Sequence, residues 1–325
     1  MIGNSLKSEA LPGAVPWHNN PKVCPYGLYS EQISGTAFTV PRTHNQRTWV
    51  YRIRPQVIHQ PFELIREFHP LAKDCISTPN QLRWDPFDIQ SGHFVDGIKS
   101  LCIGGDASNK SGMAIHSYTC STSMDQSAFQ NSDGDFLIVP QQGTLEIKTE
   151  LGGLVVEPLE ICVIPRGIRF QVNVQGPCRG YICEVYNGHF ELPDLGPIGA
   201  NGLADPKDFI YPSASYTFDK STTPNFTIFN KYQHNLYKAV GFTPFDVVGW
   251  QGNYAPCKYD LRKFNTMNSV SFDHADPSIF TVLTCKTNTP GVAMCDFVIF
   301  PPRWGVADHT FKPPYFHRNW YLLLM

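Results

Sequence analysis

The sequence predicts an all-β protein built around a β-sandwich, and two observations support this. Short runs of apolar and β-branched residues recur between turn residues, most densely from residue 126 to residue 186. Glycine (25 residues) and proline (27 residues) are spread along the whole chain of 325 residues. Only the segment 61–70 has the composition of a short helix. A single hairpin does not bury its apolar face by itself, so many such runs require two packed sheets.

The predicted elements follow in chain order. Residues 1–30 are polar and rich in proline and glycine, which favours an extended arm. Strands are predicted at 36–40, 48–53, 112–120, 136–140, 143–150, 154–158, 160–165, 168–174 and 180–186. Residues 190–262 are expected to be rich in loops, and a second β segment is predicted at 269–286 and 291–311.

These elements divide the chain into two predicted domains. An N-terminal β domain spans 1–262, with its central sandwich near 126–186. A second, incomplete C-terminal β domain spans 263–325 and is expected to be cut short after Asn319.

Composition excludes several classes of protein. Apolar residues make up 42% of the chain and charged residues 17%, which indicates a globular core. A net charge of -2 gives no reason to expect nucleic acid or a membrane surface as a partner. No segment approaches the roughly 20 apolar residues of a membrane span, and the first residues lack a signal-peptide pattern. The ten cysteines are scattered singly, which predicts reduced thiols in a cytoplasmic protein.

The spacing of Gly143 from the turn Pro165-Arg-Gly167 resembles the cupin jelly roll. Metal-binding cupins carry clustered histidines on these strands, whereas this chain has none between His116 and His189. We therefore expect this sandwich to be a scaffold and not a metal site.

Most of the eleven histidines are expected to be structural or surface residues, and His116 and His189 in particular to be hydrogen-bonded core residues. Three others lie close together in the last quarter of the sequence: His274, His309 and His317. His274 stands between two aspartates, and a neighbouring carboxylate can orient an imidazole and raise its basicity. His309 is expected to be a surface residue.

Five long segments resemble the homogentisate 1,2-dioxygenase family: 19–42, 131–147, 191–209, 272–283 and 296–319. They occur in order and cover about residues 2–319. The resemblance implies a cupin-like enzyme with two β domains that assembles as a homohexamer of two trimers. It also implies non-haem Fe(II) and O2 as the means of opening the ring of homogentisate, which gives maleylacetoacetate in tyrosine and phenylalanine catabolism.

The resemblance assigns roles to two histidines. His317, in the motif YFHRN, matches the family's first iron ligand, and His274, in DHADP, matches its general base. A site of two histidines and one carboxylate leaves open positions on iron for substrate and O2.

The last six residues, WYLLLM, depart from the family pattern. Leu323 stands where the family has its glutamate ligand, and the family's second histidine ligand lies further downstream than Met325. We expect this chain to stop before its metal site is complete and to be inactive by itself. The alternatives are a catalytically inactive β-sandwich subunit that lacks two iron ligands, or a ligand-binding cupin module, which would need a polar pocket within 133–186.

Overall fold

The computed structural model describes residues 6–17, 23–67, 78–80, 82–194, 204–265 and 280–300. Within these ranges the chain forms β-strands and three short 3-10 helices, Pro25–Gly27, Pro206–Asp208 and Leu261–Lys263. The strands are β1 (Lys7–Glu9), β2 (Tyr29–Ser34), β3 (Arg47–Arg52), β4 (Glu63–Glu67), β5 (Lys99–Asp106), β6 (Ser111–Cys120), β7 (Ser127–Asn131), β8 (Asp135–Gln142), β9 (Leu145–Thr149), β10 (Gly152–Val156), β11 (Glu160–Ile164), β12 (Arg169–Val174), β13 (Cys178–Val185), β14 (Phe226–Tyr232), β15 (Asn235–Gly241), β16 (Val247–Gly252), β17 (Cys257–Asp260), β18 (Thr281–Lys286) and β19 (Ala293–Val298). None of the helices in the described ranges has the length and apolar character needed to cross a membrane.

Eight consecutive strands, β6 to β13, form a jelly roll. Strands β6, β13, β8 and β11 are neighbours in a six-stranded sheet, which β5 and β17 extend at its two edges. Strands β7, β12, β9 and β10 are neighbours in a seven-stranded sheet, which continues through β14, β15 and β4. The chain crosses between the two sheets at every connection except the β9–β10 hairpin. This strand order confirms the predicted all-β, cupin-like jelly-roll sandwich.

The main core lies between the two sheets of the jelly roll. Tyr118 and Phe136 come from the six-stranded sheet, and Phe129 and Phe170 come from the seven-stranded sheet. Along β9 the buried and partly exposed residues alternate, which is the period that the sequence pattern predicts for a strand with one face in the core.

A third sheet packs beside the jelly roll, with the order β1-β16-β3-β2. The buried indole of Trp250 on β16 donates a hydrogen bond from Nε1 to the carbonyl oxygen of Leu151 at 2.8 Å. The guanidinium of Arg52 on β3 donates to Glu150 at 3.0 Å and to Asp246 at 2.7 Å. These contacts attach the four-stranded sheet to the turn between β9 and β10.

The C-terminal hairpin, β18–β19, covers part of the outer face of the six-stranded sheet. Val282 and Leu283 on β18 pack in one buried cluster with Ile115, Leu137 and Val185 on the sheet. The predicted division of the chain at residues 262 and 263 remains a prediction, and the described residues show only that this hairpin rests on the sandwich.

Three local predictions are wrong. The predicted strand at 36–40 is a turn region, because the backbone of Gly35 and the hydroxyl of Thr36 both bond to Gln46 and close a loop. The predicted helix at 61–70 contains strand β4, which pairs antiparallel with β15. The expected loop region 190–262 contains β14, β15, β16 and β17. In the last two cases the edge of an existing sheet supplies hydrogen-bond partners that local composition does not reveal.

Candidate active-site region

The two candidate site residues, His274 and His317, lie outside the described residues, as do His309 and Leu323. Among the described elements, the hairpin β18–β19 lies between His274 and His317 in the sequence. The chain enters it at Thr281, seven residues after His274, and leaves it at Val298, and these two residues are paired across the hairpin. The residue at which the chain enters the hairpin after His274 and the residue at which it leaves toward His317 therefore lie side by side at the open end of the hairpin.

The hairpin is fixed to the sandwich by hydrogen bonds as well as by apolar packing. The backbone of Thr284 exchanges two hydrogen bonds with the backbone of Glu191, at 2.8 and 2.9 Å. The Thr284 hydroxyl also donates to the carboxylate of Asp296 on the partner strand at 2.6 Å. At the tip, Gly291 has a φ of +78°, a conformation that glycine adopts without strain.

A cleft of about 230 Å3 opens beside β18. One part of its lining is apolar and includes Leu283, and the other part carries polar side chains. The polar residues that line it are Gln46, Asp135, His189, Glu191 and Asn253.

His189 at this cleft is held by contacts to both of its ring nitrogens. Its Nδ1 lies 2.7 Å from the carboxylate of Asp135, and its Nε2 lies 2.7 Å from the carbonyl oxygen of Gly35. These two contacts fix the orientation of the imidazole ring. The predicted hydrogen bonding of His189 is confirmed, but its side chain lines the cleft and does not lie in the core.

A second buried polar network lies within the sandwich, around Glu184 on β13. One carboxylate oxygen accepts from Asn131 at 2.6 Å and from the Lys231 ammonium at 2.9 Å. The other accepts from Nε2 of His116 at 2.9 Å. Lys231 also donates to Asp133 at 2.6 Å, and all of these side chains are buried. The network is fully enclosed, which gives it a structural role.

The charge state of this network follows from its contacts. Burial by itself would raise the pKa of Glu184, but the Lys231 ammonium and the hydrogen bond from His116 hold that pKa well below its usual range. Burial lowers the pKa of His116, although Glu184 opposes this. His116 is therefore a neutral imidazole whose Nδ1 accepts from the hydroxyl of Ser100 at 2.9 Å. The prediction that His116 is a hydrogen-bonded core residue is also confirmed.

The described residues do not fit an iron site. No group of three or more His, Cys, Asp or Glu side chains among them is placed to hold a metal ion. Within the jelly roll, Phe170, which follows the turn Pro165-Arg-Gly167, packs against Phe129 with ring centroids 5.6 Å apart. Side chains thus fill this part of the sandwich interior.

Local sequence patterns do not predict the Glu184 network. Lys231 is 47 residues from Glu184 and 98 residues from Asp133 in the chain. A lysine in a polar strand segment is expected to face solvent, and only the parallel pairing of β14 with β7 brings this one inside.

Comparison with known proteins identifies the family. A model of the homogentisate 1,2-dioxygenase N-terminal region matches residues 1–261, and a model of the C-terminal region of the same family matches residues 262–325. The chain is 58% identical to homogentisate 1,2-dioxygenase of Caenorhabditis elegans, over 97% of this chain and 74% of that protein. It is 56% identical to the human enzyme of the same name, over 98% of this chain and 74% of that protein. It is also 56% identical to the Drosophila melanogaster enzyme, over 97% of this chain and 74% of that protein. The chain therefore belongs to the homogentisate 1,2-dioxygenase family.

Proposed function

We propose that the enzyme containing this chain opens the aromatic ring of homogentisate with O2 and Fe(II), and so gives maleylacetoacetate in tyrosine and phenylalanine catabolism. The observation that carries the proposal is the 56–58% identity to three proteins of that name over nearly the whole chain. The same comparisons favour the enzyme over the alternative of an inactive β-sandwich subunit. Because one fold can support many reactions, the proposal is tested at individual residues.

His274 is the proposed general base. The phenolic hydroxyl groups of the substrate have a pKa near 10, so they are protonated at neutral pH. A neutral imidazole within hydrogen-bond reach accepts such a proton as the phenolate forms. The aspartates on either side, Asp273 and Asp276, are candidates to orient the ring of His274.

His317 is the proposed protein ligand of Fe(II). Iron, when bound, supplies a Lewis acid with open positions for a phenolate oxygen and for O2. The motif Phe311-Lys-Pro-Pro-Tyr-Phe316 directly before His317 contains two prolines, which restrict the backbone that leads to the imidazole. Leu323 offers no lone pair, and it motivates the separate prediction that a site with leucine at this position binds iron weakly and turns over no homogentisate.

The proposed function is tested by O2 uptake with homogentisate on purified, Fe(II)-loaded protein, together with identification of the ring-opened product. The iron content per chain is measured in the same preparation. Sustained ring opening by this chain would support the family activity and refute the prediction drawn from Leu323. Uptake of O2 without ring opening in a longer form of the protein would refute the proposed function.

Substitution separates the two proposed roles in an iron-binding form of the enzyme. His274→Gln should retain iron and slow turnover by roughly 10²–10⁴-fold, the usual contribution of a general base. His317→Ala should lose iron. His44→Gln, at an exposed histidine, is the matched control and should change neither property. Loss of iron from His274→Gln would instead make His274 a ligand.

The assembly and location of the enzyme are also proposals. We propose a homohexamer built from two trimers in the cytoplasm, as the family resemblance implies. Light scattering during size-exclusion chromatography gives the mass, and a monomer at micromolar concentration would refute the hexamer.

A further inference from the structure

Two thiols from different parts of the fold touch each other on the outer face of the jelly roll. Cys183 lies on β13 in the six-stranded sheet, and Cys295 lies on β19 in the C-terminal hairpin. Their sulfur atoms are 3.5 Å apart, although the two residues are separated by 112 positions in the chain. The two sulfur atoms therefore form a direct contact between the sandwich and the hairpin.

The other cysteines near this pair have different surroundings. Cys285 is the cross-strand partner of Cys295, but it is fully buried and its thiol donates to the carbonyl oxygen of Asn187 at 3.1 Å. Cys120 and Cys178 face each other across β6 and β13, and both are shielded from solvent. Among the described cysteines, Cys183 and Cys295 combine a sulfur–sulfur contact of 3.5 Å with partial access to solvent, which Cys295 provides.

The two thiols of the pair are not equivalent. The hydrogen bond with Cys295, together with burial, raises the pKa of Cys183 well above its ordinary value. Cys183 therefore remains a protonated thiol, whereas Cys295 is partly exposed and meets a dissolved oxidant first.

We propose that Cys183 and Cys295 are a peroxide-sensitive thiol pair that forms a disulfide between the sandwich and the C-terminal hairpin. In the first step the Cys295 thiol gives up its proton as its sulfur attacks one oxygen of hydrogen peroxide, and the O–O bond breaks. A sulfenic acid forms, and the departing hydroxide takes up a proton and leaves as water. In the second step the sulfur of Cys183 attacks the sulfur of Cys295, the S–O bond breaks, and a second water leaves with the Cys183 proton. Two thiols and one peroxide thus become one disulfide and two waters.

The two sulfur atoms are already close to bonding distance. A disulfide has a sulfur–sulfur distance of about 2.05 Å, so atoms that lie 3.5 Å apart must approach by roughly 1.5 Å. A source of oxidant is available if the proposed function is correct, because hydroquinones such as homogentisate reduce O2 to hydrogen peroxide as they become quinones. That source rests on the proposed function, whereas the disulfide itself does not.

The disulfide is tested by treating the full chain with a small excess of hydrogen peroxide, blocking the remaining thiols, and mapping peptides without reduction. The expected result is a cross-linked peptide pair containing Cys183 and Cys295 that dithiothreitol separates. The closed loop of about 110 residues should raise Tm by roughly 3–8 °C in the oxidised protein. Oxidation that joins Cys295 to Cys285, or that stops at a sulfinic acid on Cys295, would overturn the proposal. A disulfide that leaves Tm unchanged would overturn the claim that it fastens the hairpin.

Two variants make the test specific. In Cys183→Ser, the sulfenic acid on Cys295 should persist and be trapped by dimedone, because its reaction partner is gone. In Cys24→Ser, which removes a partly exposed thiol elsewhere in the fold, the cross-linked peptide should form as in the parent chain. Equal dimedone labelling of the parent and Cys183→Ser would show that Cys183 takes no part. The peptide map of the parent chain decides the question even if Cys183→Ser does not fold.

Discussion

At the scale of single residues, the structure keeps several charges inside an apolar sandwich by pairing each with its opposite. The Lys231 ammonium is fully buried and touches the carboxylates of Glu184 and Asp133. Asn131 and His116 supply further hydrogen bonds to Glu184. Each side chain of this network supplies a hydrogen bond or an opposite charge to its neighbour. Removal of one side chain therefore leaves a buried polar or charged group without a partner.

Lys231→Met should therefore destabilise the protein strongly. The two carboxylates would remain buried without their cation, and breaking a buried pair in this way costs about 3–5 kcal/mol. Urea unfolding followed by circular dichroism measures the loss. Lys207→Met, at an exposed lysine, is the control and should change stability little. A change of less than about 1 kcal/mol in Lys231→Met would show that Glu184 and Asp133 are not held as charged groups.

The same network predicts a loss of stability in acid. The pKa of His116 is lower in the folded protein than its ordinary value, so folding opposes protonation, and stability falls as pH drops below about 6.5. The pKa of Glu184 is also lowered, so its contribution is present above about pH 4.5 and is lost as pH falls further. Tm measured from about pH 7.5 to pH 4 should decrease in these two stages.

The variant His116→Gln isolates the first stage. Its amide can donate to Glu184 and accept from Ser100, but it does not titrate. The decrease in Tm between about pH 7 and pH 5.5 should be smaller in His116→Gln than in the parent chain. Identical pH profiles of the two proteins would contradict the assignment of a neutral, buried imidazole.

At the scale of elements, the hairpin β18–β19 is held mainly through strand β18. Val282, Leu283 and Cys285 on β18 are buried in the cluster that joins the hairpin to the six-stranded sheet, whereas Val292 at the tip is half exposed. Strand β19 is mostly at intermediate exposure, and its apolar residues pack only at the margin of this cluster. Packing of β18 should therefore decide whether the hairpin stays docked.

Leu283→Ala should weaken this docking. A buried leucine truncated to alanine costs about 2–5 kcal/mol, the larger values applying where the cavity does not collapse. Hydrogen exchange of the β19 amides should rise along with the loss in unfolding free energy. Val292→Ala is the control in the same hairpin, and it should stay within about 0.5 kcal/mol of the parent. Unchanged exchange in β19 with Leu283→Ala would show that other contacts hold the hairpin.

At the scale of the whole molecule, the four-stranded sheet and the C-terminal hairpin depend on the jelly roll as their common support. The four-stranded sheet is attached through Trp250 and Arg52, both buried and both bonded to the turn between β9 and β10. The hairpin is attached on the outer face of the six-stranded sheet. Loss of one attachment should therefore lower the stability of more than one layer.

Trp250→Phe tests the attachment of the four-stranded sheet. The change removes the hydrogen bond to Leu151 and leaves a gap beside a buried carbonyl, for which we expect a cost of about 2–3 kcal/mol. Trp49→Phe, on the neighbouring strand β3 at a partly exposed position, is the matched control and should cost much less. Equal effects of the two substitutions in urea unfolding would contradict the role given to Trp250.

The sequence by itself determined the parts of this protein that depend on local pattern. Strands β8, β9, β11, β12 and β13 follow from short runs of apolar and β-branched residues and from the turns between them, because such residues pack well on a pleated sheet. The hydrogen-bonded roles of His116 and His189 followed from their apolar surroundings, and the family followed from long ordered segments. The roles of His274 and His317 came only from that resemblance and remain proposals.

Tertiary structure alone decided the parts that depend on residues far apart in the chain. Strand β4 exists because β15 offers a free edge, against the helical composition of 61–70. Lys231 is buried because β14 pairs with β7, and Cys183 meets Cys295 because the hairpin folds back onto the sheet. The physical reason is the same in each case. A contact between residues about 100 positions apart does not restrict which residues stand next to either partner in the sequence, so the local sequence pattern does not reveal it.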